Sequence, residues 1–337
     1  MRETASDSVD RRSAITIVTE FQQILRSQGI ELLPDSPLGH GCWLITDGPN
    51  RGVTYGPVDK TVDHREMLRY ECGTLTLVSK VVSAARRGPL DAVLKHLRVL
   101  SNACPSTCQP LPAKAPPRIT ENPYRAPEPD VGSTRKLFEL VLGLAALQVG
   151  TDVQLEDPEK SPVASGCDVQ VTIAGCRIGL ECKVPSGSME SVRDRVLDGV
   201  QQIRSSEVAA GYVVVNTTSL LDHDKFAPAD RDPISGNISY KGFSDRTIPD
   251  KVLENDHMDH GIVLRDLVAA SLDTTSKGGF GLMFYGQTFA FIASPAGIVP
   301  TTVAGAHYIR LTSVRHDAPS ELVPIMRAMV GQSVSGR

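Results

Sequence analysis

Apolar and polar positions alternate most regularly between Cys167 and Val184. Val169, Val171, Ile173, Cys176, Ile178, Leu180, Cys182 and Val184 occupy one set of positions, and Asp168, Gln170, Thr172, Arg177, Gly179, Glu181 and Lys183 the other. This is the period of a half-buried sheet and predicts a β-hairpin. A three-residue loop would mate apolar positions of one arm with polar positions of the other, so the pattern requires an even loop around Ala174 and Gly175. In that register Asp168 lies opposite Glu181, with Lys183 two positions further along the same face.

The flanking segments read as helices and strands. Ser133 or Thr134 caps a helix running to about Gln148, with Gly150 as its stop and Leu137, Leu140, Val141, Leu144 and Leu147 as its apolar stripe. Glu139 lies off that stripe. A short strand at Thr151–Glu156 leads to the hairpin. A further helix runs from Pro185-Ser186-Gly187-Ser188 to about Arg204, and Gly211–Asn216 is a continuous apolar run of the kind buried on both faces. The order is helix, strand, strand, strand, helix, strand. Upstream, residues 13–27 predict an amphipathic helix, 30–73 turns between short strands, and 74–103 two helices broken at Gly88-Pro89. Downstream, 221–260 reads as a polar, Asp-rich loop before a helix at Gly261–Leu272, followed by strands near 280–292 and 302–314 and a helix near 320–330.

Eight prolines between Pro105 and Pro129 exclude helix and central strand there and divide the chain. The expected organisation is an N-terminal α+β domain at 1–104, a linker at 105–132, and an α/β domain with a mixed sheet at 133–337. With 41% hydrophobic and 22% charged residues the composition is that of an ordinary globular protein. Seven cysteines at irregular spacing and a polar N-terminus point to a reducing cytoplasm with free thiols, and no apolar run is long enough to span a membrane. A net charge of −4 and a pI near 6.1 mean that any nucleic-acid contact needs a local basic patch. Lys80, Arg86, Arg87, Lys95 and Arg98, opposed only by Asp91, form one candidate.

The facing carboxylates carry the chemistry. Like charges opposite each other across two strands are destabilising and call for a cationic partner. A divalent ion held by Asp168 and Glu181 with Lys183 alongside would supply it, because Mg²⁺ takes one or two carboxylates, keeps waters and binds phosphates. A solvated outer sheet face is the other reading of the same residues. Asp168 followed by Glu181-Cys182-Lys183 resembles the signature of the PD-(D/E)XK, or restriction-endonuclease-like, nucleases, with Cys167 where the family often has Pro. The likeness covers roughly residues 133–216. It implies an αβββαβ core, Mg²⁺ or Mn²⁺ as cofactor, Asp168 and Glu181 as metal ligands together with the backbone carbonyl of Cys182, Lys183 as a catalytic residue, Glu139 as the acid contributed by the first helix, and DNA as the substrate. Two further readings remain open: the same fold kept for nucleic-acid binding or assembly without catalysis, and an interaction module, dimeric or bound to a partner protein through its N-terminal domain. Other metal-ligating residues are more sparsely placed. His40 and His64 lack companions at metal spacing, Cys104 and Cys108 make half a zinc motif, and the Asp222-His223-Asp224 and Asp256-His257-Met258-Asp259-His260 clusters read as solvated acids more readily than as ligands.

Overall fold

In a computed structural model of the chain, the hairpin pairs Val169 with Leu180, Val171 with Ile178 and Ile173 with Cys176, leaving Ala174 and Gly175 as the turn. Both turn residues have positive φ, 49° and 78°, as a two-residue connection between right-twisted strands requires. The structure describes residues 2–5, 11–34, 36–46, 65–102, 131–158, 166–185, 189–269, 281–294, 297–310 and 319–330.

In chain order the elements are β1 (Arg2–Ala5), α1 (Arg11–Ser27), α2 (Pro37–Thr46), α3 (Arg65–Arg87), α4 (Leu94–Asn102), α5 (Val131–Val149), β2 (Thr151–Leu155), β3 (Val169–Ile173), β4 (Cys176–Lys183), α6 (Met189–Ser205), β5 (Ala210–Asn216), β6 (Ala229–Arg231), β7 (Ile238–Tyr240), α7 (Thr247–Ala269), β8 (Gly281–Ser294), β9 (Gly297–Arg310) and α8 (Leu322–Val330). The fold is α/β. Its sheet runs β1-β9-β8-β5-β4-β3-β2, and β6-β7 form a separate ribbon. The sheet is mixed: β5 is parallel to both β4 and β8, and the remaining neighbours are antiparallel.

Alternation along the strands assigns the two faces. Val169, Val171, Ile178, Leu180, Cys182, Tyr212 and Val214 pack with α1, α3, α4, α5 and α8 in one core. Val213, Val215, Leu282 and Phe284 pack on the other side with Val192, Val196 and Val200 of α6 and Leu264 and Val268 of α7. Strand β5 is therefore apolar at consecutive positions because it is covered on both faces, as central parallel strands are. Each such Val contributes roughly 1.5–3 kcal/mol by burial.

Several expectations are corrected. The segment read as turns and short strands contains α2 and the first nine residues of α3. Glycine does not break α2 because it lets the helix pack closely: a Cβ at Gly41 would lie 2.3 Å from Thr74 Oγ1 of α3. The Asp-rich 247–260 stretch is the first half of α7, not a loop. Ser133 and Thr134 lie inside the first turn of α5 instead of capping it. The first hundred residues do not form an α+β unit apart, since Phe21, Val78, Leu97 and Leu100 share one core with Phe138, Leu140 and Leu180. The basic patch is also largely spent: Lys80 is buried and donates to the carbonyls of Ala328 and Met329, Arg86 pairs with Glu20, and Lys95 pairs with Asp157. Of the proline-rich linker expected at 105–132, residues 131 and 132 already belong to α5, and 105–130 lie outside the described residues, as do His64, Cys104 and Cys108. No helix among the described residues is long and apolar enough to cross a membrane.

Candidate active site

Asp168, Glu181 and Lys183 gather at the open end of the hairpin, and none is solvated. One step beyond the Val169 and Leu180 pair, Asp168 falls opposite Glu181. Asp168, Glu181, Lys183 and Glu139 are 1%, 0%, 8% and 4% exposed. The polar face is thus covered, and α6 is what covers it. Gly199 makes the approach close: a Cβ there would lie 2.9 Å from Lys183 Cε and 3.1 Å from Glu181 Cγ.

Hydrogen bonds fix each group. Lys183 Nζ donates to Glu181 Oε1 at 2.7 Å and to Gln202 Oε1 of α6 at 2.6 Å. Asp168 Oδ2 accepts the backbone N–H of Cys182 at 2.6 Å, which ties the acid of one arm to the opposite arm. Asp168 Oδ1 accepts from Arg135 Nη2. Arg135 Nε also lies 2.9 Å from Glu139 Oε1, one helical turn along α5, and Nη2 lies 3.7 Å from Glu156. The second oxygen of Glu139 is bonded to His96 Nε2 at 2.9 Å. Glu139 is therefore neither off the packed face nor an exposed helix acid. It turns inward, and Arg135 links it to Asp168.

Burial and a neighbouring carboxylate both raise Asp168 and Glu181. Asp168 is raised above the usual carboxylate range, first by burial and then by the charge of Glu139, with Arg135 and the Cys182 N–H opposing. Glu181 is raised by burial and then by Asp168, with Lys183 opposing. The Cys182 side chain belongs to the apolar core on the other face of β4, and burial raises its thiol. Only its backbone can take part in the cluster.

Glu181 Oε2 is buried and has no hydrogen-bond partner. An ionised buried oxygen left so is costly, and a hard cation with oxygen ligands would satisfy it. Asp168, Glu181 and Glu139 together outnumber Arg135 and Lys183 by one charge when all are ionised, so the cluster has room for further positive charge. Asp168, Glu181 and the backbone of Cys182 fit such an ion. Among the described residues no three His, Cys, Asp or Glu side chains are gathered as a ready-made metal cage, and Arg135 stands between Asp168 and Glu139 instead.

Arg135, His96, Gln202 and Gly199 complete the site and were not singled out from the sequence. Arg135 had a visible signal in its i, i+4 spacing to Glu139. His96 had none, because its contact crosses from α4 to α5. Among the described residues, His40, His257 and His307 are also buried, away from this cluster. His40 is buried beside the rings of Trp43 and Tyr70, and burial lowers it to about 4. His223 bonds Thr288 at 2.9 Å, and His257 lies between Thr217 Oγ1 at 2.8 Å and His307 Nδ1 at 2.7 Å.

Compared with family models, curated proteins and solved structures, the chain matches none.

Proposed function

We propose that this protein is a metal-dependent nuclease, that α5-β2-β3-β4-α6-β5 is its restriction-endonuclease-like core, and that it hydrolyses phosphodiester bonds in DNA, in host defence or DNA processing. One observation carries the reading: Glu181 places one buried oxygen on Lys183 and leaves the other without a partner, directly across the hairpin from Asp168. A like-charged buried pair next to a lysine is costly for a purely structural sheet face, and it suits a site that receives a cation and a phosphate.

Asp168 and Glu181 would hold Mg²⁺ or Mn²⁺, with the Cys182 carbonyl as a further donor. When bound, the ion polarises a phosphoryl oxygen and acidifies a water. The chain's own groups do the rest. The Cys182 N–H fixes the Asp168 carboxylate, Gln202 and Glu181 aim the Lys183 ammonium, and Lys183 stabilises negative charge building on the phosphoryl group or orients the attacking water. Glu139, held by His96, accepts a hydrogen bond from a second water. The buried floor of α6 side chains excludes bulk solvent from beneath these groups.

One observation favours a second reading. Arg135 already pairs with Asp168 and Glu139, which suits a non-catalytic nucleic-acid-binding or assembly protein with a permanent internal counter-ion. Incubation with circular, linear and single-stranded DNA and with RNA, in Mg²⁺ and in EDTA, separates the two. Cleavage in Mg²⁺ alone supports the nuclease. Binding without cleavage under every divalent condition supports the second reading.

A further inference from the structure

The carboxylates of this site hold a cation that belongs to the protein. Arg135 projects from the first turns of α5, reaches Asp168 Oδ1 through Nη2 and Glu139 Oε1 through Nε, and approaches Glu156. Its side chain is 28% exposed, whereas those of Asp168 and Glu139 are 1% and 5% exposed. Arg135 is therefore the most exposed of the three, although its Nε is buried. Asp168 has only two oxygens, and both are engaged, one by Arg135 and the other by the Cys182 N–H. Glu181 Oε2, by contrast, is buried without a hydrogen-bond partner. A divalent ion shared by Asp168 and Glu181 needs an Asp168 oxygen, and the N–H bond is built into the hairpin while the Arg135 bond is made by a long side chain with a route to solvent.

We propose that Arg135 is a built-in competitor of the divalent ion: it pairs with Asp168 and Glu139 while the metal is absent and has to release Asp168 before the metal binds. This rests on the metal-dependent reading above. The guanidinium donates to Asp168 through Nη2 and is ion-paired with Glu139 through Nε, which lies 2.9 Å from Oε1 without a hydrogen bond, so the exchange lowers the site's net affinity for metal and reduces the repulsion within the metal-free cluster. The device sets a threshold: the site loads only above a divalent concentration that outcompetes the arginine.

The test is Mn²⁺ binding to the full chain, followed by electron paramagnetic resonance of the free ion, with the metal-induced rise in melting temperature as a second readout. Arg135→Met is expected to bind Mn²⁺ about tenfold or more tightly than the wild type, the scale of one lost charge-assisted contact. It should also melt lower in EDTA and gain more from Mn²⁺. Arg135→Lys keeps the charge without the two-pronged geometry and should fall between them; it carries the test if Arg135→Met does not fold. An affinity in these variants equal to or weaker than wild type overturns the competition. If wild-type binding is saturable and abolished by Asp168→Asn while the Arg135 variants leave it unchanged, the metal site stands and only the role of Arg135 falls. No saturable Mn²⁺ binding in any of the proteins overturns both.

Discussion

A methyl group added at Gly199 probes how α6 holds the polar face of the hairpin. Its Cβ would sit 2.9 Å from Lys183 Cε, 3.1 Å from Glu181 Cγ and 3.1 Å from Val213 Cγ2, against roughly 3.5–4.0 Å for relaxed carbon contacts. None of the three neighbours has an easy retreat. Val213 is in the core beneath α6, and Lys183 can move only by loosening its bonds to Glu181 and Gln202. Two effects oppose each other in Gly199→Ala. Replacing glycine inside a helix gains up to about 1 kcal/mol, and overpacking costs about 1–3 kcal/mol. The expected result is a stability between unchanged and about 2 kcal/mol lower. Displacing the lysine by a fraction of an ångström to one ångström is expected to slow cleavage by about 10- to 100-fold. Urea unfolding and initial cleavage rates at saturating Mg²⁺ read the two quantities separately. A variant stabilised by the full helix-propensity gain and cleaving at the wild-type rate would refute the idea that α6 positions Lys183.

Three other outcomes follow from the geometry. A fragment beginning at residue 131 is expected to be insoluble, because α3 and α4 cover the Phe138 and Leu140 side of α5; a soluble fragment with a cooperative melt would restore a separate N-terminal unit. Ala174 has φ 49°, so Ala174→Gly is expected to stabilise the hairpin turn by about 0.5–1 kcal/mol in urea unfolding, and an unchanged midpoint would count against strain there. Burial and the nearby Arg69 lower His223 to about 3. Between that value and about 6.5 it is neutral when folded and charged when unfolded, so its stabilising share is present above about pH 6.5 and is lost as the pH falls towards 3. The wild-type stability minus that of His223→Asn should therefore shrink as the pH falls through this window, and a pH-independent difference would show that His223 titrates normally.

The hairpin was legible because one face of it is uniformly apolar, so only one register keeps Val169, Val171, Ile178 and Leu180 together. The consecutive valines of β5 were legible for the same reason, as burial on both faces leaves no polar position. Helix α2 was not, since Gly39 and Gly41 serve close packing and resemble turn residues; a Cβ on Gly39 would lie 1.9 Å from the Leu33 carbonyl. Helix α7 was hidden because its polar positions are dense and some, such as Asp250 and His257, are themselves buried, leaving only a thin apolar stripe of Leu253, Leu264 and Val268. At the site, Asp168, Glu181 and Lys183 could be placed from period two alone. The burial of Glu139 and its bond to His96 depend on α4 packing against α5, a long-range contact that no local pattern encodes.

The central claim is that the hairpin carboxylates and Lys183 support metal-dependent phosphodiester cleavage. The most direct measurement is the cleavage rate of supercoiled circular DNA in Mg²⁺ by wild type, Glu181→Gln and Lys183→Met, each checked for a wild-type melting transition in EDTA. The account predicts cleavage by the wild type that EDTA abolishes, and a loss of at least about 100-fold in both variants with the fold retained. Cleavage that persists in EDTA, or that both folded variants perform at the wild-type rate, would contradict it.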